Sequence, residues 1–132
     1  MSETKKILVA EDETDLREAI VTVLTDAGYK VLAATNGQEA LRLARQEHPD
    51  LLMLDIQMPN MNGLEVLKDI RQDEWGVKVP VIMLTAHSDI GNLSEAVSLG
   101  GTHLDYLTKT DWKLSDVVEK VKSKLGDPKA AE

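Results

Sequence analysis

Side chains capable of chemistry follow several separate apolar runs in this 132-residue sequence. An acid pair follows the first run, and an acid, a hydroxyl and an ammonium group follow three later runs: Glu11 and Asp12, then Asp55, Thr85 and Lys109. Each residue alone has an ordinary explanation, because acids and hydroxyls favour helix caps and turns, and lysines favour solvent. Their recurrence at the end of one apolar run after another favours a shared site.

Clustered carboxylates at such a site would repel one another, and a hard divalent cation relieves that repulsion. Magnesium prefers a few oxygen ligands and keeps several waters, so the acids predict Mg²⁺, with Mn²⁺ as a substitute. A carbonyl oxygen of the segment 55–57 could supply a further ligand. Beside such a cation, the free carboxylate oxygen can attack phosphorus and form an acyl phosphate. The cation, Lys109 and the Thr85 hydroxyl would bind the phosphoryl oxygens, which indicates a phosphoryl-transfer site.

The elements that position these residues follow from the hydrophobic pattern. Short unbroken apolar runs are typical of strands buried on both faces of a parallel sheet, and we predict five strands, at residues 6–10, 29–34, 51–54, 79–84 and 104–108. Apolar residues at helical spacing predict a helix after each strand. Thr35 or Asn36 is the expected N-cap of the second helix, and the fourth is carried by Leu93, Ala96 and Val97.

This alternation of strands and helices predicts a three-layer α/β domain, with helices on both faces of a parallel sheet. In a doubly wound sheet of strand order 2-1-3-4-5, the first and third strands are neighbours at the switch point where ligands bind. Their carboxyl ends would bring Glu11, Asp12 and Asp55 within a few ångströms of one another. We expect one domain over residues 1–126, followed by a flexible tail at residues 127–132.

Composition disfavours several other classes of function. The chain has no cysteine and a formal net charge of −8, which excludes thiolate chemistry and disfavours direct contact with nucleic-acid phosphates. No apolar run approaches the length of a membrane span, and the N-terminus lacks the apolar core of a signal peptide. We therefore expect a cytoplasmic location and no membrane contact.

Taken together, the motifs resemble those of the receiver domains of two-component response regulators, the CheY-like family. The resemblance covers roughly residues 6–125 and rests on four motifs: Glu11-Asp12, the run from Asp55 to Pro59 with Gly63 after it, the run from Val81 to Ala86, and the run from Tyr106 to Lys109. It implies the flavodoxin-like form of the doubly wound fold. It also implies a signalling module that catalyses only its own phosphorylation and dephosphorylation, and not a conventional enzyme.

The resemblance further implies a role for each acid. Asp55 would accept a phosphoryl group from a sensor histidine kinase or a histidine phosphotransfer protein. Glu11 and Asp12 would hold Mg²⁺ together with Asp55 and the backbone carbonyl of Gln57.

The remaining site residues would bind the phosphoryl group and transmit its presence. Thr85 and Lys109 would contact phosphoryl oxygens, and Tyr106 would turn inward when Thr85 is drawn toward the phosphate. Gln57 and His87 flank the site and would tune hydrolysis. The face formed by the fifth strand and the fourth and fifth helices would then bind a downstream effector protein or output domain, in a monomer or a weak homodimer.

Several positions depart from the family pattern. Thr110 stands where the family usually has proline, and we expect a trans peptide bond before it, because a cis bond before a non-proline residue costs about 2.5–4 kcal/mol. The connection from Gly101 to Tyr106 is one residue longer than usual, and Trp112 would fill the place of a missing phenylalanine. Glu11 replaces a commoner aspartate, and its longer arm can reach a metal directly or through water.

Two other functions use the same residues. A magnesium-dependent phosphatase of the aspartyl-phosphate type also has an aspartate at a strand end, but such enzymes usually carry a second acid where this chain has Gln57. A receiver-like interaction module that is never phosphorylated would not need Asp12, Asp55, Thr85 and Lys109 together. A flavin-binding protein of this fold would need a phosphate loop rich in hydroxyls and glycine after the first strand, which is absent from the sequence.

Overall fold

The predicted strands form one parallel sheet of order β2-β1-β3-β4-β5. The structure is a computed structural model, and it describes residues 4–85, 104–108 and 113–126. The strands are β1 (Lys6–Ala10), β2 (Lys30–Ala34), β3 (Leu51–Asp55), β4 (Val81–Thr85) and β5 (Leu104–Thr108). The described helices are α1 (Thr14–Asp26), α2 (Gly37–Glu47), α3 (Gly63–Ile70) and α4 (Leu114–Leu125), of which α4 is the helix predicted as the fifth. The predicted α/β class and strand order are confirmed.

Four predicted strand boundaries, in three strands, were wrong by one or two residues. Strand β2 begins at Lys30, because the Tyr29 N–H instead donates to the Leu24 carbonyl (3.1 Å) and closes the end of α1. Strand β4 spans Val81–Thr85, because the Val79 carbonyl accepts from Nη1 of Arg71 (2.7 Å). Strand β3 ends at Asp55, one residue after the predicted end at Leu54.

Alternate residues of the strands supply one apolar layer on each face of the sheet. One layer packs against α2 and α3, and its strand residues include Leu8, Ala10, Leu52, Leu54, Val81 and Met83. The other packs against α1 and α4, and its strand residues include Ile7, Val9, Leu51, Met53, Ile82 and Leu84. Because β1, β3 and β4 are buried on both faces, their carboxyl ends are rigid supports for the residues that follow.

Helix termini are fixed by different local contacts. Oδ1 of Asn36 accepts from the Glu39 N–H (2.9 Å) at the start of α2, which selects Asn36 between the two predicted caps. Asn62 and Glu65 form a reciprocal capping box at the start of α3. By contrast, Glu13 at the N-cap of α1 makes no side-chain capping hydrogen bond.

A hollow of about 400 Å³ lies between α1 and the beginning of α4. Its lining consists of Glu18, Ala19, Thr22, Val23, Asp26 and Leu114. At the other end of α4, the Tyr29 hydroxyl donates to the Gly126 carbonyl (2.7 Å). The last turn of α4 is therefore tied to the turn between α1 and β2.

Some predictions fall outside the described residues. These are the predicted fourth helix, the tail at 127–132, and the assignments made to His87, Gly101, Lys109, Thr110 and Trp112. None of the described helices combines the length and the apolar character needed to cross a bilayer.

Asp105 of β5 provides a test of the contact between this edge strand and α4. Its carboxylate lies 3.3 Å from Nζ of Lys120 and 3.2 Å from Nζ of Lys124. Burial raises the pKa of Asp105, but hydrogen bonds from the Tyr106 N–H and the two lysines outweigh it, so the net shift is downward. A lowered pKa in the folded state stabilises the protein above the unfolded-state value of about 3.9.

We expect Asp105→Asn to lower the free energy of unfolding at pH 7 by at most about 1 kcal/mol, because these ion pairs are partly exposed. The deficit should shrink as the pH falls below about 5 toward the depressed pKa of Asp105. Urea unfolding at pH 7, 5 and 4 measures it, with exposed Glu119→Gln on the same helix as the control. A deficit that stayed constant with pH would mean that the carboxylate charge is not its source.

Candidate functional site

The acids come together because β1 and β3 are neighbours and end at the same level. Ala10 pairs with Leu54 in this parallel ladder, so the next residues of the two strands are Glu11 and Asp55. The ligand oxygens of Glu11, Asp12 and Asp55 lie within 4.8 Å of one another. Glu11 and Asp55 are buried, whereas Asp12 is exposed. The cluster therefore has a closed side within the sheet and an open side toward solvent.

Backbone N–H groups hold the two buried carboxylates in place. Oε2 of Glu11 accepts from the Glu13 N–H (3.0 Å), which uses the longer glutamate arm to support the start of α1. Oδ1 of Asp55 accepts from the Gln57 N–H (3.1 Å), a short turn that fixes the carboxylate orientation. These bonds fix where each carboxylate points.

The loop after β3 folds back tightly over Asp55. The Ile56 N–H donates to the Leu84 carbonyl (3.2 Å), and the Gly63 N–H donates to the Ile56 carbonyl (3.1 Å). A Cβ atom at Gly63 would overlap the Asp55 backbone carbonyl, so only glycine fits there. The sequence shows Gly63 only as part of a family motif, whereas the structure requires glycine there because two backbone segments approach closely.

Thr85 ends β4, next to the acid-bearing strand. Asp55 pairs with Leu84 in the ladder between β3 and β4, so Thr85 lies one residue beyond the level of the acid. Its side chain is buried, and its hydroxyl has no hydrogen-bond partner within the described part of the chain. A buried hydroxyl without a partner costs about 1–3 kcal/mol, so Thr85 is a candidate hydrogen-bonding group for a ligand bound beside Asp55.

The other predicted site residues lie on the edge strand, in the loop after Asp55, or outside the described ranges. Tyr106 pairs with Met83 on the edge strand β5 and is 50% exposed. Gln57 is exposed, and its backbone takes part in the turn that holds Asp55. Lys109 directly follows β5, and neither it nor His87 belongs to the described residues.

One residue with a direct role in shaping the site was not predicted. Arg17 lies in the first turns of α1, and its Nη1 donates to the Glu11 carbonyl (2.9 Å) and the Asp12 carbonyl (3.4 Å). In the sequence, Arg17 stands out only as the single basic residue between Lys6 and Lys30. Charge alone could not show that its partners are backbone carbonyls.

The donor set fits a hard divalent cation. Its atoms are carboxylate oxygens from two separate segments, and two of the three acids are buried close to a like charge. Oxygen-only ligands with an open, solvated side suit Mg²⁺, which keeps several waters when bound to proteins. When bound, the ion would be held by Glu11, Asp12 and Asp55.

Comparison with known proteins points to one family. The description "Response regulator receiver domain" belongs to the family that matches residues 7–122. The polar-differentiation response regulator DivK of Brucella ovis is 36% identical over 124 residues, which cover 94% of this chain and 98% of that protein. The probable transcriptional regulator ycf27 of Porphyridium aerugineum is 40% identical over 105 residues, or 80% of this chain and 42% of the relative. This chain thus spans about two fifths of such regulators.

A solved structure adds information on the cation. The receiver domain of a sensor histidine kinase from Pseudomonas aeruginosa has a TM-score of 0.82 and 28% sequence identity, covering 95% of this chain and all of that one. That protein has a magnesium ion coordinated in its active site cleft.

The buried hydroxyl generates a stability prediction. Thr85→Val should leave the free energy of unfolding unchanged or raise it by about 1 kcal/mol, because valine removes a desolvated hydroxyl and keeps the side-chain shape. Chemical denaturation of the metal-free protein measures it. Thr22→Val, at an exposed position of α1, is the control and should change stability by less than about 0.5 kcal/mol. A loss above 1 kcal/mol at Thr85 would show that its hydroxyl already has a stabilising partner.

The acid cluster generates a metal-binding prediction. Saturating Mg²⁺ should stabilise the wild-type protein, by about 2.7 kcal/mol at a concentration of 100 Kd, because the ion binds the folded state. Asp12→Asn should lose most of this effect, while Asp15→Asn, an exposed acid nearby outside the cluster, should retain it. Thermal unfolding with Mg²⁺ and with EDTA measures both. Equal stabilisation of wild type and Asp12→Asn would place the ion elsewhere.

Proposed function

The chain belongs to the response regulator receiver domain family, and on that premise we propose that it is a phosphorylation-controlled signalling switch with Asp55 as the phosphoacceptor. The family is a signalling module of two-component systems. The observation that carries the proposal is the position of Asp55: a buried strand-end carboxylate, fixed by a backbone N–H, with two further acids within 4.8 Å.

The proposed reaction is transfer of a phosphoryl group between a histidine and an aspartate. A carboxylate oxygen of Asp55 forms the new bond to phosphorus as the phosphorus–nitrogen bond of the donor phosphohistidine breaks, and the leaving imidazole takes up a proton. Bound Mg²⁺ would supply positive charge to the phosphoryl oxygens. Because Gln57 N–H holds Oδ1 of Asp55, the carboxylate is oriented before the donor arrives.

The proposed signal begins at Thr85. A phosphoryl oxygen on Asp55 would give the buried Thr85 hydroxyl the acceptor that it lacks among the described residues, which favours the phosphorylated form. Lys109 would neutralise another oxygen. Tyr106, half-exposed on β5, would turn inward as Thr85 moves, which alters the edge of the sheet for partner binding. Gln57 and His87 would tune the lifetime of the phosphoryl group.

The switch would have two kinds of partner, one that donates the phosphoryl group and one that responds to it. The donor is a sensor histidine kinase or a histidine phosphotransfer protein, and the receiver of the signal is an effector protein or an attached output domain. Both forms of output fit the relatives, since DivK is matched over 98% of its length and ycf27, described as a transcriptional regulator, over 42%. Any contact with DNA would come from an output domain, because this domain carries a net charge of −8.

Incubation with acetyl phosphate and Mg²⁺, followed by intact-mass measurement, tests the proposal. Wild-type protein should gain the mass of one phosphoryl group, and Asp55→Asn should gain none, although its amide oxygen can still accept from the Gln57 N–H. Asp69→Asn on α3, outside the acid cluster, should behave like wild type.

The alternatives have different outcomes in the same experiment. A wild-type protein that binds Mg²⁺ but gains no phosphoryl group would be a receiver-like module without phosphorylation. Rapid turnover of phosphate monoesters that depends on Asp55 would identify a phosphatase. A phosphoryl group located on any residue other than Asp55 would refute the proposed acceptor.

A further inference from the structure

We propose that Arg17 is a positioning residue for the cation site, because it fixes the backbone of the loop that carries Glu11 and Asp12. This inference rests on the proposed function because it concerns the same site, at which the cation would bind and Asp55 would be phosphorylated. Its main test is cation binding, which does not require phosphorylation.

Arg17 satisfies three successive carbonyl groups of the acidic run. Its Nη1 donates to the Glu11 carbonyl (2.9 Å) and the Asp12 carbonyl (3.4 Å), and its backbone N–H donates to the Glu13 carbonyl (2.9 Å). The side chain thereby crosses back over the connection between β1 and α1. One residue spans the complete loop, from the strand end to the N-cap of the helix.

Other hydrogen bonds also restrain this loop against the repulsion between its acids. The Glu11 N–H donates to the Ala34 carbonyl (3.1 Å), and the Glu13 N–H donates to Oε2 of Glu11 (3.0 Å). Glu13, the N-cap residue, makes no side-chain cap. Without the Arg17 guanidinium, the carbonyls of Glu11 and Asp12 could turn to solvent, and like charges would drive Asp12 away from Asp55.

Two effects of the guanidinium on a cation have opposite signs. As a nearby positive charge it repels Mg²⁺, so its removal would tighten binding if charge alone mattered. As a restraint on the loop it keeps the acids convergent, so its removal would weaken binding. The geometry favours the second effect, because Nη1 donates to the backbone of two acid-bearing residues and not to their carboxylates.

The experiment therefore asks whether removal of the Arg17 guanidinium weakens or tightens Mg²⁺ binding. Mg²⁺ is titrated calorimetrically into wild type, Arg17→Met and Arg42→Met. The last removes the same charge from α2, where the Arg42 guanidinium donates to the Gln46 side chain (3.3 Å). Arg17→Met should weaken Mg²⁺ binding by about tenfold, the loss typical when a group that orients a metal ligand is removed. Arg42→Met should bind as wild type does, and unchanged or tighter binding by Arg17→Met would overturn the proposal.

A second variant is needed if Arg17→Met does not fold in the metal-free state from which the titration starts. Arg17→Lys keeps the charge, but its side chain is shorter and its ammonium is more strongly hydrated than a guanidinium, so it should weaken Mg²⁺ binding by about threefold. Binding equal to wild type by this variant would overturn the proposal.

Phosphorylation by acetyl phosphate gives an independent readout. Its rate as a function of Mg²⁺ concentration should shift to higher concentration in the Arg17 variant, with the plateau retained. A lower plateau at unchanged Mg²⁺ affinity would show that Arg17 acts on the chemistry and not on the cation site. Failure of wild type to be phosphorylated would refute the proposed function, while the calorimetric comparison would still decide the role of Arg17.

Discussion

Mutual repulsion of three carboxylates is the constraint on which this site depends. The register of β1 and β3 places Glu11 beside Asp55, and the short connection to α1 adds Asp12. Each acid alone could relax toward water, but two of them are buried at the end of rigid strands. The fold therefore maintains an arrangement that its own charges oppose, and a bound cation would relieve that repulsion.

The energy needed to hold this arrangement comes from the apolar layers on both faces of the sheet. Buried side chains such as Leu8, Leu52 and Ile82 fix the strands, and the strand ends cannot separate without disrupting that packing. The connecting loops are restrained by individual contacts: the close approach at Gly63, the Gln57 N–H on Asp55 and the Arg17 guanidinium on the acidic run. Rigid strands and restrained loops together orient the acids in advance of any ligand.

The fold and the acid cluster were predictable because they follow from local patterns. Unbroken apolar runs such as Leu51–Leu54 indicate buried parallel strands, and parallel strands place their following residues at one edge of the sheet. The roles of Arg17 and Gly63 were not predictable in this way, because each depends on a close contact with backbone carbonyls that no pattern of residue types reveals. The start of β4 was misplaced for the same reason, since Arg71 takes the Val79 carbonyl out of the ladder.

The hydrogen bond from Tyr29 to Gly126 anchors the last turn of α4, and Leu114 lies at the opposite end of this helix. Its 12 residues extend about 18 Å from that anchor to Leu114, so a tilt of about 5° moves Leu114 by roughly 1.5 Å while the last turn hardly shifts. Leu114 lines the hollow beside α1. A small tilt of α4 about its last turn would therefore change the width of the hollow beside α1, because the displacement is greatest at Leu114.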